Sequence, residues 1–152
     1  MGARLVSTAI ALFFTAYAQS SPLFSIFGIR PNVVLAFAVL AGFSFTVAAE
    51  YAVLVSASAL GFASGIGFPQ ACIFFALIFM LARVVREMAP LRLFLSGSVL
   101  VIVFSFLIYT SLGWDMVARL APLAAREALC NVAVFAVLYA LLPPHYVRKG
   151  KY

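Results

Sequence analysis

At 152 residues the chain has room for one domain, and its composition excludes a water-soluble one. Apolar residues make up 66% of it and charged residues 9%, with a mean hydropathy of +1.19; a soluble domain carries about 45–50% and about 25%. The formal charge of +6 does not point to nucleic acid, because the basic residues fall between apolar runs and at the C-terminus rather than in a stripe interleaved with aromatics.

A bilayer accommodates this much apolar surface because lipid replaces water around the outer face. The expectation is therefore an all-α, polytopic membrane helix bundle: a single integral membrane domain over residues 1–152, with six transmembrane helices and a short interfacial helix. The first segment runs from Arg4 to Gln19 and stops at Ser20-Ser21-Pro22. Its apolar stretch followed by Ala16-Tyr17-Ala18 has the form of a secretory leader. Since all that follows is equally apolar, a retained first helix is expected instead. The second segment starts at Pro31, a residue suited to a first helical turn, and reaches Thr46. The third runs from Glu50 to Ser64. Gly65 to Pro69 reads either as the loop between two spans or as a tight re-entrant turn. Pro69 opens the fourth segment, which ends near Val85, and Pro90 opens the fifth, which reaches Leu112. From Gly113 to Ala121, Trp114, Val117 and Ala121 can face lipid while Asp115 and Arg119 face water, the pattern of an interfacial helix. Pro122 then opens the sixth segment, which ends at Leu142 before Pro143-Pro144. Proline marks these boundaries because it cannot donate within a helix interior.

Lysine and arginine set the orientation. With the N-terminus inside, the inner side carries Arg4, Arg83, Arg86, Arg92, Arg148, Lys149 and Lys151, against Arg30, Arg119 and Arg126 outside. The excess of basic residues on one side predicts that both termini are cytoplasmic, and the same residues suit anionic lipid headgroups.

The sequence offers little chemistry. Its one histidine, His145, lies in the tail, and the four acids Glu50, Glu87, Asp115 and Glu127 all fall at segment ends, where none can serve as a mid-membrane proton relay. Cys72 and Cys130 match no metal spacing and read as packed thiols. Gly61, Gly65 and Gly67 are not followed by the Lys and Ser/Thr of a phosphate-binding loop. No enzyme, cofactor or metal is expected. Nor is there the ring of charge or polar stripe of a channel.

Small residues carry a structural signal. Ala57, Gly61 and Gly65 recur every fourth position in the third segment, as Ser7, Ala11 and Thr15 do in the first. Such spacing lets helix backbones approach closely in lipid, and it serves a partner helix, a homodimer or the bundle itself. A few polar residues sit within or beside the spans: Gln19, Asn32, Gln70, Ser96, Ser98, Ser105 and Asn131. A buried amide such as that of Asn131 needs a partner, found in an interhelical bond or at the wall of a small cavity. Arg30-Pro31-Asn32 is a helix start: an arginine at the outer surface, a proline fixing the first turn and an asparagine behind it.

The order of these features resembles the MreD family of bacterial rod-shape-determining membrane proteins. The likeness rests on Gln19-Ser20-Ser21-Pro22-Leu23, Arg30-Pro31-Asn32-Val33-Val34-Leu35, a Gly-rich turn at Leu60-Gly61-Phe62-Ala63-Ser64-Gly65, and a last span with Asn131 before a basic tail. It extends over nearly the whole chain. Members of that family carry an acidic residue before the Gly-Ser turn, where this chain has Phe62-Ala63-Ser64. The resemblance implies a non-catalytic subunit of the cell-elongation machinery in the bacterial inner membrane. Its expected partners are an MreC-like single-span protein and, through it, MreB and the peptidoglycan transpeptidase complex. Arg30, Pro31, Asn32, Ala57, Gly61, Gly65 and Asn131 are then the candidate partner-binding residues. The family is also similar in fold to the substrate-binding subunits of energy-coupling-factor vitamin transporters, a rival reading that requires a pocket lined by Gln70, Ser96 and Asn131.

Overall fold

No residue between Val33 and Ser44 carries a charge, and the run has no polar face, so a helix formed there has no side to show to water and belongs in the interior. The computed structural model, which describes residues 2–19, 31–45, 47–88, 92–110 and 114–141, puts it there. The described residues form six α-helices and no strand: α1 Gly2–Gln19, α2 Val33–Ser44, α3 Ala48–Ile66, α4 Phe68–Met88, α5 Leu93–Thr110 and α6 Trp114–Leu141. The fold class is all-α. Helix α2 packs against each of the other five, and every residue from Val34 to Phe43 except Phe37 is buried.

The outer helices assemble around this axis in close pairs, α1 with α3, α3 with α4, and α5 with α6. The α3–α4 hairpin turns on a single residue. Gly67 adopts φ +81°, the left-handed conformation that glycine supplies at a helix C-terminus, and its carbonyl accepts from Ala71 N–H at 3.1 Å to begin α4. Of the two expected forms of Gly65–Pro69, the structure has the tight turn rather than a loop of several residues. The stretch from Leu60 to Gly65 that reads as a Gly-rich turn is the final part of α3. At the other end of α3, Glu50 reaches back to Val47 N–H at 3.3 Å, the acidic half of a capping box.

A boundary expected at Pro122 is absent. Helix α6 runs from Trp114 through Pro122 to Leu141, so the predicted interfacial helix and the sixth segment form one element. Proline forfeits one backbone bond in a helix interior, but a long apolar helix tolerates that loss where neighbouring groups re-satisfy the freed carbonyl.

Among the described residues two helices are long and apolar enough to cross a membrane, Phe68–Met88 and Arg119–Leu141, and only 28% and 22% of their apolar windows are buried inside the bundle. Val33–Ser44, Ala48–Gly61 and Leu93–Ile108 are shorter apolar helices. Large apolar side chains point outward from every helix except α2, among them Phe14, Leu60, Ile73, Leu95 and Leu129. The core is aromatic at several contacts: Phe74 meets Phe104 edge-on between α4 and α5, and Phe94 stacks on Phe135 between α5 and α6.

Candidate functional site

Helix α2 is about 18 Å long at 1.5 Å per residue and is buried along nearly its whole length. Both ends of α2 therefore present orphan backbone groups inside the bundle, and buried orphans must be paired. The side chains that pair them form two polar sets, one at each end of the helix.

At the N-terminus all four leading N–H groups are accounted for. The backbone N–H of Asn32 donates to Asn131 Oδ1, across 99 residues of chain. Val33 N–H donates to Pro31 O at 3.0 Å, and Val34 N–H donates to Gln19 Oε1 at 3.2 Å. Leu35 N–H donates to the Asn32 side-chain oxygen at 2.9 Å, the geometry of an N-cap. The network continues outward: Asn131 Nδ2 donates to Ser105 Oγ at 2.8 Å, and the Ser105 hydroxyl donates to Val101 O at 2.7 Å. Asn32, Ser105 and Asn131 are 3%, 2% and 1% exposed. Four helices, α1, α2, α5 and α6, thus meet at one buried set of amides and a hydroxyl.

The C-terminus of α2 is closed differently. Arg86, in the last turn of α4, donates from Nη1 to Phe43 O at 3.3 Å and to Phe45 O at 2.6 Å. The Tyr51 hydroxyl of α3 lies within hydrogen-bond distance of Gly42 O at 3.1 Å and of Phe45 O at 2.5 Å. A cation at this end also complements the partial negative charge of the helix C-terminus. Neither residue stands out in the sequence as a site. Arg86 reads as a topogenic charge and Tyr51 as one more aromatic; the signal available was α2 itself, whose lack of a polar face requires donors from elsewhere.

Close approach brings the helices near enough for these bonds. A Cβ on Gly42 would lie 2.6 Å from Ala82 Cβ, and one on Gly61 would lie 2.3 Å from Ala16 Cβ and 2.9 Å from Phe13 O. Gly61 is therefore the contact point of α1 and α3 within the chain. Its counterpart on α1 is the Leu12–Ala16 face, both residues buried, not the Ser7–Ala11–Thr15 stripe. Ser7 is exposed, and its hydroxyl and that of Thr15 donate to carbonyls of their own helix.

Of the candidate residues, the structure unites Pro31, Asn32 and Asn131 at the head of α2, with Pro31 buried. Gly61 and Ala57 lie on α3, Ala57 half-buried. Gly65 falls in the last turns of α3, and its surroundings lie outside the described residues, as do Arg30 and the basic tail. Gln70, Ser96 and Asn131 do not share a pocket. Gln70 is exposed at the start of α4 beside Gly67, Ser96 donates to Arg92 O on its own helix, and Asn131 is committed to Asn32 and Ser105. Among the described residues, one buried side-chain atom lacks a partner, the hydroxyl of Ser58 on α3.

No protein family, curated protein or solved structure matches the chain.

Proposed function

We propose that the chain is a non-catalytic membrane scaffold of the bacterial cell-elongation machinery, as the resemblance to the MreD family implies. In this reading six helices are embedded in the cytoplasmic membrane, and both termini face the cytoplasm. Lipid solvates the outward apolar side chains, and the short second span, α2, is shielded from lipid by its neighbours. The partner is an MreC-like single-span protein, and through it MreB and the peptidoglycan transpeptidase complex.

The observation that carries the reading is the use made of the buried polar groups. Asn131, Asn32, Ser105 and Gln19 bond one another or the backbone of α2, and none of them titrates in a range useful to acid–base chemistry. Arg86 and Tyr51 are likewise directed at backbone carbonyls. Such a site fixes the relative positions of helices. A scaffold needs that rigidity, because a partner helix reads a surface only when the surface holds one shape.

Co-expression with an MreC-like single-span protein tests the proposal. The two are expected to co-purify from mild detergent in a fixed ratio. Two well-folded proteins that elute separately from the same extract would overturn it.

A further inference from the structure

Between the start of α3 and the last turns of α4 lies a groove of about 330 Å³. Its walls are the Tyr51 ring, Ala52, Val55, Ala76, Phe79 and Met80, with Arg83 the one charged residue along it. The Tyr51 hydroxyl lies against the Gly42 and Phe45 carbonyls, so the groove meets its ring. Ala52, Ala76 and Met80 are exposed, which leaves the trough open on the outer surface of the bundle.

Arg83 stands five residues before the end of α4, about 7 Å along the axis. Its ion pair with Glu87 uses Nε, at 3.0 Å, so both terminal nitrogens of the guanidinium keep their donors. An arginine stem lying along apolar surface with its head at the interface is the snorkelling arrangement. The terminal nitrogens suit a phosphate, which a guanidinium binds by two parallel hydrogen bonds. Arg92, also exposed, immediately precedes α5 at the same end of the bundle, and this end is the cytoplasmic one in the proposed orientation.

We propose that the groove seats an acyl chain of an anionic phospholipid whose phosphate is held by Arg83. The inference rests on the membrane reading given above. Charge complementarity selects the anionic headgroup: a zwitterionic lipid brings its own cation to a site where Arg83 already stands, and the nearest acid, Glu87, is paired with that arginine.

Native mass spectrometry of the purified full chain in detergent tests this, with phosphatidylglycerol and phosphatidylcholine of identical chains as probes. The wild-type chain is expected to hold phosphatidylglycerol more tightly. Arg83→Gln should weaken phosphatidylglycerol binding about fivefold, the contribution of one interfacial arginine, and phosphatidylcholine, whose phosphate carries its own compensating cation, by less. Ala76→Phe, or Ala52→Phe from the opposite wall, should reduce both by filling the trough. Arg119→Gln, at the far end of the bundle, should change neither. Equal affinity of the wild type for the two lipids, undiminished binding in both blocking variants, or an equal loss in Arg119→Gln would each overturn the proposal. The membrane reading fails by a different result, a chain monodisperse in buffer without detergent.

Discussion

Asn131 of α6 accepts the backbone N–H of Asn32 and donates its own amide to Ser105 of α5. One side chain from the last helix therefore completes the N-terminal cap of the second and ties the fifth to it. Replacing Asn131 with Leu removes acceptor and donor together and strands a buried N–H, at a cost of about 1–3 kcal/mol. Ser105→Ala should cost less, about 0.6 kcal/mol, the average of an interhelical bond in membranes. The two losses should fall short of additive in the double variant, since they share a bond. Denaturation midpoints of the four proteins in one detergent measure this.

At the opposite end of α2, Arg86→Gln withdraws the guanidinium from the Phe43 and Phe45 carbonyls. A hydrogen bond to a charged donor contributes about 1.5–3 kcal/mol. The expected result is a lower midpoint together with faster amide exchange at Ser44 to Tyr51, while exchange at Val34 to Leu40 follows global stability. Arg86→Lys should recover part of the loss, because an ammonium reaches a carbonyl without the planar fork. Uniform exchange across α2 in the glutamine variant would contradict a local cap.

Gly61→Ala puts a methyl group 2.3 Å from Ala16 Cβ and 2.9 Å from a backbone oxygen. Neither neighbour has a rotamer to change, so α1 and α3 must separate, with an overpacking cost of about 1–3 kcal/mol. Gly97→Ala meets ring carbons of Phe135 at 2.3 Å and Phe43 at 3.0 Å, side-chain atoms rather than backbone, and should cost less. A midpoint lowered more by Gly97→Ala than by Gly61→Ala would refute this ordering.

The Ser58 hydroxyl is fully buried and bonds nothing among the described residues. Ser58→Ala keeps the shape and removes a desolvated polar atom, so it should raise the midpoint by the equivalent of about 1 kcal/mol. A lower midpoint would mean that the hydroxyl has a partner in the assembled protein.

The sequence showed where helices stop more readily than what their ends touch. The break at Gly65–Pro69 and the helix start near Pro31 were legible, because φ > 0 and a missing N–H are local properties of a residue. Pro122 misled for the same reason: a local rule predicts a break, and tertiary packing carries α6 across it. Asn131 reads as a buried amide and Asn32 as part of a helix start, but their pairing depends on how α6 lies against α2, which no local pattern encodes. Arg86 reads in the sequence as a topogenic charge, and its second use as a cap appears only once α4 is laid beside α2. Gly42, which meets Ala82, escaped notice because it has no small neighbour four residues away to form a stripe.

The position of Asn131 bears on how the protein is made. Ribosomes deliver α2 long before α6, so during synthesis the leading amide of Asn32 waits for an acceptor that has not yet emerged. A chain released before the sixth helix would carry that debt permanently, whereas one lacking only the tail after Leu141 would not. Biogenesis of the innermost helix is in this sense finished from the far end of the polypeptide.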